Sequence, residues 1–146
     1  MCTVRHLLHL KGPQVWTVSP SSTVYDALKL MADHNLGAVM VMDGDEIAGI
    51  MTERDYARKV ILNDKSSRET PVSEIMTPAV LYVRPEQSIE EVMAIMDAKR
   101  VRHLPVIEDG RLIGMVSMRD VVKQMVEERD FLIGQLEHYI TQPPPQ

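Results

Sequence analysis

The sequence predicts a mixed helix-and-strand fold, α/β in content and α+β in order, made of two similar units in tandem. Three observations predict it. A shift of 65 residues lays residues 18–27 on 83–92 and residues 49–55 on 114–120, with no gap between the two matches. In each copy a run with helical spacing is followed by two short apolar runs split by an acidic, glycine-containing turn, the pattern of a strand hairpin. The 146 residues leave about 60 to each unit, too few to bury an adequate core alone, so the units should pack on each other.

The elements follow in order. Val4-Arg5-His6-Leu7-Leu8 resembles Val72-Ser73-Glu74-Ile75-Met76 at a shift of 68. A short extended piece is expected at 16–18. Val24, Leu28 and Met31 recur at helical spacing behind Thr23, a good N-cap, which predicts a helix over 24–35. Strands are expected at 39–42 and 47–51 around Asp43-Gly44-Asp45-Glu46, with a second helix from about Thr52. The second unit repeats this order, with an extended piece at 81–83. Ser88 then caps a helix over 89–100 that carries Ile89, Val92, Met93 and Met96. Strands at 104–107 and 112–116 flank Glu108-Asp109-Gly110-Arg111, and a helix starts near Ser117. The expected division is 1–62 and 72–128, joined by the polar linker 63–71. Residues 129–146 add a helical extension and, at 142–146, a frayed proline-rich tail. In the last helix Val122, Met125, Val126, Leu132, Leu136, Tyr139 and Ile140 keep spacings of about three and four. This apolar stripe runs for about 24 residues, roughly 36 Å. One unit cannot cover it, so either the first unit or a partner subunit receives it; a homodimer is the expectation.

Composition narrows the function classes. There are 16 Lys plus Arg against 21 Asp plus Glu, a net charge of −5, with 45% apolar and 25% charged residues, as in an ordinary soluble globular protein. The acidic balance argues against a sequence-independent nucleic-acid binder. No apolar run approaches the ~18 residues of a membrane span, and residues 1–10 are too short and polar for a signal peptide. A single cysteine, Cys2, excludes an intramolecular disulfide and a thiolate zinc cluster. The expectation is a soluble, cytoplasmic protein with no nucleic-acid or membrane partner.

The recurring chemistry is Thr52 with Asp55 and Ser117 with Asp120. Ser or Thr followed three residues later by an acid is a helix capping box, and that reading alone accounts for the spacing. A second reading stands beside it. Each motif directly follows a glycine-led apolar strand, so a strand end would deliver a helix N-terminus into a cleft. Backbone N–H groups there suit a phosphate, and a fixed carboxylate can accept both hydroxyls of a ribose diol. Basic residues gather on the same elements: Arg54, Arg58 and Lys59 in the first unit, Arg119 and Lys123 in the second. They are either a solvated helix face or phosphate ligands.

At these residues the chain resembles a tandem pair of cystathionine-β-synthase (CBS) domains. The resemblance rests on Gly49 to Asp55 and Gly114 to Asp120, on Val72-Ser73-Glu74-Ile75-Met76-Thr77-Pro78, and on Arg102-His103-Leu104-Pro105-Val106. It covers about residues 3–128, and the run Thr-Glu-Arg-Asp-Tyr-x-Arg-Lys at 52–59 is similar to that of stand-alone CBS pairs. Such proteins resemble the regulatory modules of IMP dehydrogenase and AMP-activated protein kinase without their catalytic parts. The resemblance implies β-α-β-β-α units packed sheet against sheet with pseudo-twofold symmetry, leaving two clefts for adenosine-bearing ligands such as AMP, ADP, ATP, NAD or S-adenosylmethionine. It implies that Asp55 and Asp120 hold ribose hydroxyls and that Thr52 and Ser117 hold ribose or phosphate. The backbone around Asn35, Gly37 and Ala38, and around Arg102, His103, Leu104 and Pro105, would flank the adenine. Gly37-Ala38 departs from the Arg-His pair of the other unit, so the clefts should differ in affinity. With one Phe, one Trp and four Tyr, the adenine would rest on aliphatic and Met surfaces more than on rings.

Two other functions compete. An enzyme would need a catalytic constellation, but His6, His9, His34, His103 and His138 are scattered and no P-loop, Gly-x-Ser-x-Gly or Gly-x-Gly-x-x-Gly is present. No catalytic cofactor is expected. The alternative to a nucleotide-sensing module is a ligand-independent dimeric adaptor that acts only through protein contacts on an unknown target.

Overall fold

The computed structural model describes residues 2–12 and 14–141, the last five as backbone only; the tail foreseen at 142–146 lies outside them. The order is α1 (Val4–Lys11), β1 (Thr17–Val18), α2 (Val24–Asp33), β2 (Ala38–Asp43), β3 (Glu46–Thr52) and α3 (Glu53–Tyr56), then α4 (Ile89–Lys99), β4 (His103–Glu108), β5 (Arg111–Ser117) and α5 (Met118–Thr141). A π-type turn over Ala57–Ile61 extends α3, and a 3-10 turn at Val72–Glu74 leads into the second unit. Each long helix starts where a hydroxyl replaces the missing intrahelical acceptor. Thr23 Oγ1 accepts from the Asp26 amide at 3.1 Å, and Ser88 Oγ from the Glu91 amide at 3.1 Å. Both helices stop one or two residues before the expected ends. Asn35 and Arg100, equivalent positions, each adopt a left-handed φ of 54°, which an α-helix of L-residues does not continue through.

The two hairpins share their register. Ala38 pairs with Thr52 and His103 with Ser117, and the register slips between Val41 and Met42 in one and between Val106 and Ile107 in the other. β1 adds a parallel strand beside β2, giving the order β1-β2-β3. Its counterpart at Val83 makes a single parallel bridge to Val106. The glycine at the head of each motif is required by close approach. A Cβ on Gly49 would stand 2.7 Å from the Thr77 carbonyl oxygen, and one on Gly114 would stand 2.6 Å from Leu8 Cδ2.

Alternation along β2 divides its side chains between two interfaces. Val39 and Val41 enter one core with Val24, Ala27, Met31 and Met51. Ala38 and Met40 point the other way and, with Ile50, meet Val80, Leu112 and Met115. The units therefore pack sheet against sheet, as a pseudo-twofold pair. Their cores cross the covalent division. Val72 and Ile75 lie in the first core with Val24 and Val60, whereas Val4 and Leu7 of α1 lie in the second with Ile89, Val92 and Val121. Val4 thus mirrors Val72 and Leu7 mirrors Ile75, the pairs that the 68-residue shift aligns. Backbone bonds fix the exchange: Ile89 N donates to the Cys2 carbonyl at 3.1 Å, and Val24 N to that of Thr70 at 2.9 Å.

α5 packs on β5, α4 and α1. Val121 is buried, and Met118 and Met125 lean on the second core. Beyond Met125 neither core takes up the helix. Phe131 is 65% exposed, Leu132 62% and Leu136 63%, so as far as Leu136 the first unit does not receive this stripe; the side chains of Tyr139 and Ile140 lie outside the described residues. Among the described residues no helix is long and apolar enough to cross a membrane.

Candidate functional site

Two clefts open at the ends of the hairpins, each built from both units. The first, about 460 Å³, joins Thr52 and Asp55 at the end of β3 to Thr77–Leu81 and to the strand start Arg102 to Pro105. The second, about 1030 Å³, joins Ser117, Asp120 and Lys123 to the segment around Trp16 and to Asn35, Gly37 and Ala38. The swap follows from the fold, since the motif of one hairpin faces the strand start of the other across the sheet interface. Both volumes lie near the ~300–1,000 Å³ usual for small-molecule sites.

In the first motif both halves of the capping box are made. Thr52 Oγ1 accepts from the Asp55 amide at 3.1 Å, and Asp55 Oδ2 accepts from the Thr52 amide at 3.0 Å and from Thr52 Oγ1 at 3.1 Å. The other oxygen, Oδ1, takes Lys59 Nζ at 3.0 Å and Thr77 Oγ1 at 3.3 Å. Asp55 is only 7% exposed, and this donor set is what permits a buried carboxylate. The second motif repeats the cap: Ser117 Oγ accepts from the Asp120 amide at 3.1 Å, and Asp120 Oδ2 from the Ser117 amide at 2.9 Å. Its cation comes from elsewhere. Lys11, at the end of α1, donates to Asp120 Oδ2 at 2.7 Å and to the Met115 carbonyl at 2.8 Å. Burial pushes the Asp120 carboxyl up, but the bonds from Lys11 and Ser117 outweigh it and hold it below the ordinary aspartate value. Capping is thus present in both motifs. Asp120 Oδ1 makes no hydrogen bond among the described residues, and both Asp120 and Asp55 line their clefts.

The structure brings Thr52, Arg54, Asp55, Leu104 and Pro105 together in the first cleft, and Asn35, Ala38, Ser117, Arg119, Asp120 and Lys123 in the second. Gly37, Arg102 and His103 line both. Arg58 and Lys59 line neither: Lys59 turns onto Asp55 and the Ile75 carbonyl, and Arg58 faces solvent. Several lining residues had not been singled out. Arg100 joins Arg54 and Arg102 in the first cleft, and none of the three has a carboxylate partner among the described residues. Glu53 lines both clefts. Trp16 and His34 stack with centroids 3.6 Å apart and planes at 17°, giving the second cleft an aromatic wall. The 65-residue shift held the signal for these, since it lays Asn35 on Arg100 and Trp16 on Leu81. Burial pushes the His103 imidazole below its ordinary pKa, against the pull of Glu53 and Asp120 and with the help of Lys11 and Arg102. Among the described residues no three His, Cys, Asp or Glu are grouped to hold a metal ion.

The profile of the CBS domain matches residues 6–62 and 72–127. The Arabidopsis thaliana protein CBSX3, a CBS domain-containing protein named as mitochondrial, is 43% identical over 134 residues, a match covering 88% of this chain and 65% of that protein. The chain thus spans less than two thirds of that relative. A solved structure of a proposed signal-transduction protein with CBS domains from Burkholderia ambifaria is 51% identical with a TM-score of 0.83, covering 86% of this chain and 95% of that one. A CBS domain pair solved with 5-methylthioadenosine and S-adenosylmethionine is 22% identical with a TM-score of 0.77, covering 88% of this chain and 98% of that one, a likeness of fold.

Proposed function

The chain belongs to the CBS-domain family as a tandem pair, and from that premise we propose that it is a regulatory module that binds an adenosine-containing nucleotide, AMP, ATP or NAD, in its clefts. One observation carries this reading. The first cleft is lined together by apolar Ile50, Val80 and Leu104, by the Asp55 carboxylate and by three arginines that have no carboxylate partner among the described residues. An adenine base needs the apolar lining, a ribose diol needs the acceptor, and a phosphate needs the guanidinium forks. Thr52, Asp55, Arg54 and Arg102 are the residues proposed to hold the ligand there; Ser117, Asp120, Arg119 and Lys123 are their counterparts in the second cleft. The ligand acts by favouring one arrangement of the two units, which a target protein reads. In this reading the nucleotide binds without reacting. We assign the protein to the cytoplasm on its acidic composition and lone cysteine; fractionation with the mitochondrial matrix as the other arm checks this.

The test is mass spectrometry of small molecules released from the purified protein, followed by thermal shifts with AMP, ATP, NAD and S-adenosylmethionine. A ligand at 100 times its Kd should stabilise the fold by about 2.7 kcal/mol. An intact fold that no adenosine compound stabilises would favour the ligand-independent adaptor. That second reading is supported by the two carboxylates being already engaged in caps and by the uncovered face of α5.

A further inference from the structure

We propose that Arg102 and His103 form one anion subsite shared by both clefts, so that a phosphate-bearing ligand in either cleft weakens the binding of a second in the other. The inference rests on reading the clefts as adenosine-ligand sites. Its basis is geometric. Four residues, Gly37, Glu53, Arg102 and His103, line both cavities. The wall between the cavities is thin: a Cβ on Gly37 would stand 2.8 Å from both Cε1 and Nε2 of His103, so the imidazole lies directly on the Gly37 backbone. Among the described residues Arg102 is the one arginine that lines both clefts.

The charges make the sharing exclusive. Arg102 makes no ion pair among the described residues, so its donors are available to a ligand. A bidentate phosphate takes up one edge of the five-donor guanidinium, and a second phosphate drawn to the same group must lie within a few ångströms of the first. A second phosphate arriving from the other cleft finds that edge occupied and meets the charge of the first across the wall. Glu53, the other charged group common to both cavities, adds repulsion rather than relief. The Lys11 ammonium cannot replace Arg102 without leaving the Asp120 carboxylate, and Arg119 and Lys123, which line the second cleft alone, do not lie on the wall that separates the two phosphates. An uncharged ligand makes no demand on the subsite, so adenosine should fill both clefts independently.

The experiment is titration calorimetry of the full chain with adenosine and with AMP. Two variants isolate the clefts: Arg54→Glu alters the first alone and Trp16→Ala the second alone. Each gives the AMP affinity of the surviving cleft by itself. The second AMP should bind the unaltered protein about 5- to 150-fold more weakly than the weaker of those two values, the usual range of coupling between sites. Adenosine should show no such excess. Arg102→Gln should abolish the excess for AMP; His103→Gln is the second variant if that protein fails to fold. A second AMP constant equal to that of the weaker isolated cleft overturns the shared subsite and leaves the ligand reading standing. Absence of binding by adenosine, AMP, ATP and NAD alike overturns the ligand reading and the subsite with it.

Discussion

Asp55 and Asp120 hold the same position in the two units and are neutralised by different cations. Lys59 lies one helical turn beyond Asp55 on the same segment, whereas Lys11 reaches Asp120 from the end of α1. Local sequence therefore secures the first carboxylate and tertiary structure the second. The two should respond differently to removal. Asp55→Ala deletes an acceptor of four hydrogen bonds inside the fold and should cost about 4 kcal/mol at roughly 1 kcal/mol per bond. Asp120→Ala deletes a cap and a half-exposed ion pair, which should cost about 1 kcal/mol. Urea unfolding measures both, and equal losses would contradict the assignment of partners. In the folded variants AMP affinity should fall by about 10- to 1,000-fold at the altered cleft if the carboxylate holds a ribose, because each lost charge-assisted bond is worth roughly 1.5–3 kcal/mol. Unchanged affinity would leave the cap as the only role.

At the scale of elements, what the sequence made legible was local. The helices were visible from Thr23 and Ser88 and from apolar spacing, and the hairpins from paired apolar runs around acidic turns. Caps and turns are decided within a few residues. The exchange of Val4 and Leu7 for Val72 and Ile75 between cores was not legible, because sequence similarity shows that two segments are alike and not which core each enters. The basic residues behave the same way: Arg54 reached the cleft, while Lys59, five positions on, was consumed by Asp55. The two glycines ahead of the motifs turn this lesson into a measurement. At Gly49 an added methyl meets the Thr77 carbonyl oxygen at 2.7 Å, held in place by the bond from the Ile50 amide at 3.0 Å. At Gly114 it meets the end of the Leu8 side chain at 2.6 Å, which can rotate away. Gly49→Ala should therefore destabilise by about 1–3 kcal/mol, the usual penalty of overpacking, and Gly114→Ala by less. Thermal melts of the two variants check the order, and a larger loss at Gly114 would refute it.

At the scale of the whole molecule, the long apolar stripe on the last helix was read from sequence, but its destination was not. Spacing shows that a helix has an apolar face without showing what covers it. Within one chain α5 is anchored by Val121 and Met125 and then leaves Phe131, Leu132 and Leu136 more than 60% exposed. Burying side chains of this size fully is worth about 1.5–3 kcal/mol each, a driving force for self-association through α5. The pseudo-twofold pair of units should accordingly form a homodimer, giving light-scattering masses near twice 16.6 kDa at tens of micromolar. Leu132→Asp combined with Leu136→Asp should place charge on that face and shift the mass to the monomer. Neither residue belongs to a core, so the monomer should keep its far-ultraviolet circular dichroism and most of its melting temperature. A wild-type monomer at these concentrations would remove the dimer. A double variant that stays dimeric would move the interface away from α5.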